Sequence, residues 1–440
     1  MSKFQLVVII LFGLAIVGGI LAFSLYKGSS SATTDLSVWG TISEDLWNAW
    51  YSSSPVYKNR LYRINYFYIP AEDFDSELVN AIAEARGPDI IFAFHEKLLK
   101  NQTKLFIIPY SSFALRDFQN TFIDAAGVLT TPTGELGIPL VVDPLVLYYN
   151  KDIFANASLV EPPKLWEQMY TLSPDMTKKD PKTGRIVKSL IPLGDSSNVL
   201  YAKDILATLI MQAGGKVVED TTSFIRSSLS NQYNLPYSPG NAALLFFTEF
   251  SNPTKIFFTW NRSLPDSLTA FSAGDSAMFV GRASDFQKIK EKNPNLLFDV
   301  APVPQGTGAA RSLTFGRLLS LAVPKGSPKA AASFGAVFEM MTPEGVQSLS
   351  KLVNLPPARR DSLQTRPGDP TASVFYDAAI QSVAWKDPDS EATNIIFKNM
   401  VDSVTSGRAR VEEAVNRANE ELKVLIENLT PQPITQNAIQ

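Results

Sequence analysis

The sequence predicts an α/β fold with largely parallel sheets, preceded by one transmembrane helix. Apolar stretches of strand length alternate with amphipathic stretches of helix length, which is typical of strands joined by crossover helices. An uncharged apolar run occupies residues 4–26. The chain has 440 residues, enough for two or three domains with a large core.

The first elements are short strands separated by a helix. Residues 36–39 (LSVW) form a strand-length apolar run, and residues 61–69 (LYRINYFYI) form a second one that is rich in aromatics. Residues 43–50 have helical character and lie between them. This order predicts a strand, a helix and a strand at the start of the domain.

The next unit has clear start and stop signals. Asp75 and Ser76 can cap a helix, and Gly87 followed by Pro88 ends it. Residues 89–94 (DIIFAF) then read as a buried strand. The apolar face of the predicted helix consists of Leu78, Val79, Ile82 and Ala85.

Later elements follow the same rules. Ser327 and Thr342 each precede a proline, which predicts two helix starts with a cap and proline at the first helical position. Apolar residues recur at spacings of four and three over residues 408–428, which predicts a last long helix. Residues 178–188 predict a polar surface hairpin.

Composition excludes several classes of function. The chain has no cysteine, so disulfides, thiolate nucleophiles, zinc–sulfur sites and a lipoprotein anchor are all impossible. With His95 as its one histidine, it cannot form a multi-histidine metal site. The formal net charge of −3 and the lack of a basic run argue against nucleic acid as a partner. We expect no metal and no cofactor.

The N-terminal run is long enough to span a bilayer, which takes roughly 20 apolar residues. Lys3 and Lys27 flank residues 4–26, and residues 27–34 read as a flexible linker. We expect a retained anchor that places the protein on the outer face of the cytoplasmic membrane. The alternative is a signal peptide cleaved after Ala32, which would give a secreted or periplasmic protein. Residues 431–440 form a C-terminal tail.

Eight segments in order carry a family resemblance. They are VWGT (38–41), GPDIIFAFHEK (87–97), GIPLVVDPLVLYYNKDIF (137–154), PPKLWEQM (162–169), FSAGDSAMFVG (271–281), FDVAPVPQG (298–306), LAVPKGSPKAAASF (321–334) and LPPARRD (355–361). Together they resemble family 1 of the extracellular solute-binding proteins, the receptors of ABC importers. The resemblance covers essentially all of residues 35–430.

The resemblance implies a periplasmic-binding-protein-like fold of type II, with two discontinuous α/β lobes joined by a hinge. Lobe one comprises residues 35–142 and 315–353, and lobe two comprises residues 143–314 and 354–430. A strand over residues 140–147 crosses between the lobes. The family captures a small-molecule solute in the interlobe cleft, closes on it and delivers it to the permease subunits. The expected solute is a sugar or oligosaccharide.

The resemblance also implies ligand contacts. Glu96 and Lys97 match an acid and a base that contact sugar in the family, and Asp143 matches a ligand-binding carboxylate. The family's stacking tryptophan falls on Ala93, where this chain departs, and neighbouring Phe94 is the expected substitute. His95 is expected to be structural. Further expected ligand contacts are Thr41, Trp260, Arg282 and Tyr376.

Other functions remain open at this stage. A secreted glycosidase with paired carboxylates is possible on residue counts, although the family resemblance implies no catalytic residues. A binding protein that serves a receptor kinase as its sensor would have the same sequence features. An iron site at Tyr148 and Tyr149 is unfavourable, because neighbouring strand residues point to opposite faces.

Overall fold

A computed structural model describes residues 33–220 and 225–429. The predicted transmembrane helix (4–26) and the C-terminal tail (431–440) lie outside these residues, as does most of the linker (27–34). In the two described stretches, no helix is both long enough and apolar enough to cross a membrane.

The strands of the described chain are short, apart from two long ones. They are β1 (Thr34–Gly40), β2 (Tyr62–Tyr68), β3 (Ile90–Phe94), β4 (Ile108–Pro109), β5 (Gly134–Glu135), β6 (Ile138–Asn150), β7 (Lys178–Lys179), β8 (Ile186–Lys188), β9 (Val218–Asp220), β10 (Ile225–Ser227), β11 (Met278–Arg282), β12 (Phe298–Ala301), β13 (Thr314–Ala322) and β14 (Ser382–Val383).

Helices lie between most of these strands and fill the C-terminal part. They are α1 (Glu44–Ser53), α2 (Pro55–Lys58), α3 (Phe74–Ala83), α4 (His95–Lys100), α5 (Leu115–Thr121), α6 (Lys151–Asn156), α7 (Gln168–Met176), α8 (Ala202–Gln212), α9 (Pro239–Glu249), α10 (Ser267–Ser272), α11 (Asp285–Lys292), α12 (Ala330–Met340), α13 (Pro343–Val353), α14 (Arg360–Leu363), α15 (Pro370–Ile380), α16 (Ser390–Thr405) and α17 (Val411–Leu429). Two 3₁₀ turns cover Gln102–Lys104 and Asp124–Leu129.

The main sheet has the strand order β11-β6-β13-β3-β1-β2, with β12 also paired to β6 and β14 to β13. The strands β1, β2 and β3 are parallel, as predicted. The pair of β13 and β14 is parallel too. The expectation of a largely parallel sheet is wrong for the other pairs, because β13 runs antiparallel to both β3 and β6, and β11 and β12 run antiparallel to β6.

Strand β6 is shared by two hydrophobic cores. Its Val146 and Tyr148 belong to the first core, whereas Leu145 and Leu147 belong to the second. This division follows from the alternation of side chains along a strand. All of β6 is buried except Tyr149, which is half-buried, so the strand reads as a nearly continuous apolar run.

The two cores are built on different elements. In the first core, the Trp47 ring of α1 stacks on Tyr66 with centroids 4.5 Å apart and meets Phe92 of β3 edge-on at 5.5 Å. The second core holds Trp260 together with apolar residues of α8, α9, α16 and α17. Buried apolar area of this extent is the dominant stabilising contribution to each core.

Several local predictions can be compared directly with the structure. The Thr342 hydroxyl accepts from the Gly345 N–H at the start of α13, and residues 178–188 form the predicted hairpin, so both predictions are confirmed. The helix predicted to start after Ser327 begins later, at Ala330, and the Ser327 hydroxyl accepts the Lys329 N–H just before it and donates to buried Asp89.

Candidate functional site

A cavity of about 490 Å³ lies at the carboxyl end of β3, where α4 faces the start of α8 and the end of β11. We call it the central cavity. Its charged and polar lining comes from α4, β13, the 196–201 loop, α8, β11 and α16. The lining residues include Glu96, Asn198, Tyr201, Lys203, Asp204, Asp266, Arg282, Arg317, Ser390, Asn394 and Lys398.

Glu96 reaches the cavity because β3 ends at Phe94 and the chain turns at once into α4. On the neighbouring strand, Leu319 lies opposite Phe94, so Arg317 extends past the end of β3. The Arg317 Nε donates to Glu96 Oε1 at 2.7 Å, and its guanidinium lies 3.7 Å from the Phe94 ring centroid. Phe94 therefore supports an arginine and leaves little of this face for a sugar ring.

A second ion pair lies in the same cavity. The Arg282 Nη2 donates to Asp204 Oδ2 at 2.7 Å, and the guanidinium lies 4.3 Å from the Tyr201 ring centroid. The Tyr201 hydroxyl donates to Asp285, which also accepts the backbone N–H of Arg282. The rings of Phe94 and Tyr201 are thus each covered by a guanidinium group.

Opposing effects act on the pKa of Glu96. Burial raises it, but the positive charges of Arg317 and Arg282 outweigh burial and lower the pKa to about 2. Glu96 is therefore ionised at neutral pH. These two ion pairs leave two buried polar atoms, Glu96 Oε2 and Arg282 Nε, that form no hydrogen bond with any described residue. An acceptor and a donor are therefore left without a protein partner, and both atoms are shielded from solvent in this conformation.

His95 lies directly beneath this network. It is fully buried, and its Nδ1 accepts the backbone N–H of Leu318 at 3.1 Å. Burial lowers the pKa of His95, so the imidazole is neutral. The side chain fixes β13 against α4, which agrees with the structural role expected for it.

Asp143 does not line the central cavity. Its carboxylate accepts the Ser284 N–H at 2.9 Å and the Ser284 hydroxyl at 2.7 Å, and the residue is 3 % exposed. Burial raises the pKa of Asp143 despite the nearby Arg282 and the two hydrogen bonds. The carboxylate joins β6 to the start of α11 in this conformation, and solute contact by Asp143 stays a prediction.

Lys97 is directed away from the central cavity. Its Nζ donates to Asp75 at 2.8 Å and lies 3.4 Å from Glu391. Lys100 likewise pairs with Asp389 and Glu391, so α4 is connected to the start of α16 by charge. These pairs border the cavity without lining it.

The remaining predicted contacts lie elsewhere. Thr41 is half-buried after β1, outside the cavity lining. Trp260 is 1 % exposed, and its Nε1 donates to Asn198, a lining residue, at 2.8 Å. Tyr376 lines a separate cavity of about 270 Å³ beside Phe286. Of the predicted residues, the structure brings Glu96 and Arg282 together, with Phe94 behind Arg317.

Sequence reasoning missed Asp204, Lys203 and Arg317. A signal existed for each, because charged residues interrupt otherwise apolar runs in α8 (AKDILATLI) and β13 (TFGRLLSLA). Such residues are rarely buried without a partner. As for metals, residues 33–220 and 225–429 contain no cluster of three or more histidine, aspartate or glutamate side chains that could hold an ion.

The polar cavity in this α/β fold has the size of a small-molecule site, and the comparison of sequences gives the family. Residues 62–347 match the family model described as bacterial extracellular solute-binding protein, which is more than half of the chain. The chain belongs to this family. No curated protein sequence matches it significantly.

Solved structures share the fold at low sequence identity. The GacH receptor of Streptomyces glaucescens, solved with acarbose, has a TM-score of 0.68 and 19 % identity, covering 90 % of this chain and 99 % of that one. The cyclic α-maltosyl-1,6-maltose binding protein of Arthrobacter globiformis has a TM-score of 0.73 and 16 % identity, covering 90 % of this chain and 100 % of that one. A cyclo/maltodextrin-binding protein bound to maltotetraose has a TM-score of 0.72 and 16 % identity, covering 92 % of this chain and 99 % of that one.

Proposed function

We propose that this protein is the carbohydrate receptor of an ABC importer and that its solute binds in the central cavity. The observation that carries the proposal is the pair of unengaged polar atoms there, Glu96 Oε2 and Arg282 Nε. The structural neighbours bind acarbose, a cyclic maltosyl-maltose and maltotetraose. These are all polyhydroxylated molecules.

A sugar suits the cavity chemically. Each hydroxyl can donate one hydrogen bond and accept others, so one hydroxyl can donate to Glu96 while another accepts from Arg282. The volume of about 490 Å³ lies within the usual range for small-molecule sites. Because guanidinium groups cover Tyr201 and Phe94, recognition here relies on polar contacts more than on ring stacking.

The cavity chemistry favours binding over catalysis. A glycosidase needs one carboxylic acid with a raised pKa as its general acid. Glu96 has its pKa lowered to about 2 and Asp204 is paired with Arg282, so neither group suits that role. We therefore infer a receptor rather than a secreted hydrolase.

We infer that the chain forms two lobes, residues 35–142 with 315–353 and residues 143–314 with 354–430. The presence of two hydrophobic cores supports two lobes, although the first core also includes Phe279, Val300 and Phe375 from the range assigned to lobe two. Under it, Glu96 and Arg282 belong to opposite lobes, so a solute that contacts both bridges the cleft. Such a solute binds the closed form more tightly and shifts the population toward it. When the two lobes reopen, the solute is delivered to the permease subunits.

The apolar run at residues 4–26 supports attachment to the outer face of the cytoplasmic membrane by a retained helix. Cell fractionation should leave the protein with membranes, and mass spectrometry should find peptides upstream of Ala32. A soluble form whose first residue is Thr33 would show instead that the segment is a cleaved signal.

A thermal-shift screen tests the proposed solute class. The full chain in detergent is heated with maltodextrins, other oligosaccharides, polyamines and amino acids. A solute that binds the folded state raises stability by about 2.7 kcal/mol when its concentration is a hundred times its Kd. A melting shift with oligosaccharides alone supports the proposal, and a shift confined to polyamines or amino acids contradicts it.

A further inference from the structure

The point where the described chain begins is bordered by a small exposed surface. Thr33 donates its hydroxyl to the Arg60 carbonyl at 3.0 Å, and the Thr34 N–H donates to the Leu61 carbonyl at 2.8 Å. The chain therefore enters the domain directly beside the loop that joins α2 to β2. We call the exposed side chains of this loop region, Tyr57, Lys58, Arg60, Leu61 and Arg63, the entry face.

The entry face combines apolar and basic side chains. Tyr57 is 57 % exposed and Leu61 is 43 % exposed. Lys58 and Arg60 are exposed and form no ion pair within residues 33–220 and 225–429. Arg63 lies 3.5 Å from Asp35, with both side chains more than half exposed.

Acidic groups offset this charge only in part. Asp35 pairs with Arg63, and Glu339 accepts a hydrogen bond from the Asn59 side chain. The entry face keeps a positive balance on a chain whose formal net charge is −3. Aromatic, apolar and basic side chains together are typical of surfaces that lie at the headgroup level of a membrane.

We propose that the entry face docks on an anionic lipid surface beside the N-terminal anchor. The inference rests on the anchor proposed above. From Lys27 to Thr33 is a span of six residues, which reaches roughly 20 Å when fully extended. A linker this short holds the entry face close to the bilayer, and each lysine or arginine near an anionic surface strengthens the contact.

Docking fixes the direction in which the central cavity opens. β1 starts at Thr34 and runs parallel to β3, whose carboxyl end borders the cavity. The seven residues of β1 span roughly 20 Å. The entry face and the cavity are therefore at opposite ends of these strands, so the docked protein opens toward the external medium. Delivery to a permease requires release from the surface.

Single-cysteine labelling of the full chain tests this proposal, since the native sequence has no cysteine. Tyr57→Cys carries an environment-sensitive dye, and Ile256→Cys, at a site 77 % exposed, is the matched control. Both are reconstituted in vesicles of phosphatidylcholine alone and of phosphatidylcholine with phosphatidylglycerol. The dye at position 57 should move to a less polar environment only with phosphatidylglycerol, and the dye at position 256 should not respond.

Charge variants then identify the contact. In the Tyr57→Cys background, Lys58→Gln and Arg60→Gln should each lower the docking equilibrium constant about fivefold, whereas the exposed Lys423→Gln should leave it unchanged. A dye that is equally shielded in both vesicle types would rule out anionic lipid as the partner.

Flotation of the vesicles distinguishes a failure of the proposed docking from a failure of the proposed membrane anchor. Protein that floats with the vesicles while the dye at position 57 stays in water overturns the docking and leaves the anchor intact. Protein that does not float refutes the anchor and the docking together.

Discussion

At the scale of single residues, Glu135 shows how burial without a partner changes an ordinary carboxyl. It is fully buried in β5, and neither carboxyl oxygen forms a hydrogen bond with a described residue. Burial raises the pKa of Glu135 to about 7. The side chain is therefore protonated in mildly acidic solution and becomes costly to bury as the pH rises.

This burial predicts a pH-dependent stability. The folded chain binds a proton at Glu135 more tightly than the unfolded chain, so the free energy of unfolding falls as the pH rises from about 4.3 to about 7. The loss is up to about 3 kcal/mol. Glu135→Gln should remove this part of the pH dependence in urea titrations, and the exposed Glu291→Gln should not. Equal slopes in wild type and Glu135→Gln would contradict the account.

The predicted solute contact can be tested at the same scale. Glu96→Gln removes a charge-assisted bond worth about 1.5–3 kcal/mol, so sugar affinity should fall about ten- to a hundredfold in calorimetry. Stability should also fall, because Arg317 loses its ionic partner at 2.7 Å. Tyr376→Phe, in a separate cavity, is the control and should bind normally. Unchanged affinity of Glu96→Gln would place the solute elsewhere.

The sequence predicted part of this site. Glu96 was predicted from the resemblance of GPDIIFAFHEK to the family, and it lies where β3 ends and α4 begins. The partners Arg317 and Asp204 are far away in the chain, and no local pattern relates them to Glu96 and Arg282. Trp260 and Tyr376 were expected as contacts from the resemblance, but a large aromatic side chain is equally suited to burial.

At the scale of elements, a buried ion pair joins α8 to the segment that leads into α16. Lys203 Nζ donates to Asp387 at 2.6 Å and to the side chains of Ser390 and Thr393. Both charged side chains are less than 10 % exposed. Burial raises the pKa of Asp387, although Lys203 and Thr393 oppose this shift. The pair therefore holds α16, which lines the central cavity, in place.

Removing one partner should be costly. Lys203→Met leaves Asp387 buried without its counter-charge and should lower the free energy of unfolding by about 3–5 kcal/mol in urea titrations. Lys203→Met with Asp387→Asn should recover part of the loss. Lys398→Met breaks a half-exposed pair on the same helix and should cost less than about 1 kcal/mol. Equal costs for Lys203→Met and Lys398→Met would refute this role.

Elements with strong local signals were predictable, and those that depend on distant pairing were not. Thr342 and Pro343 specify the start of α13, and the 178–188 hairpin follows from its polar turn. By contrast, the apolar runs of β6 and β13 carry no information on strand direction. Their antiparallel pairing depends on the route of the chain between the two cores.

At the scale of the whole molecule, the cavity between the two proposed lobes implies closure on the solute. A sugar that contacts Glu96 and Arg282 stabilises the form in which these side chains are close. With an oligosaccharide that binds by calorimetry, small-angle scattering should give a smaller radius of gyration than without it. An unchanged radius with a saturating sugar would argue against a hinge.

The most direct test of the central claim is a crystal structure of the protein with the oligosaccharide selected by the thermal screen. Our account predicts sugar density in the central cavity, with hydroxyls bonded to Glu96 Oε2 and Arg282 Nε. Sugar bound instead in a different cavity, for example the one of about 460 Å³ that is lined by Trp385 and Gln212, would contradict it.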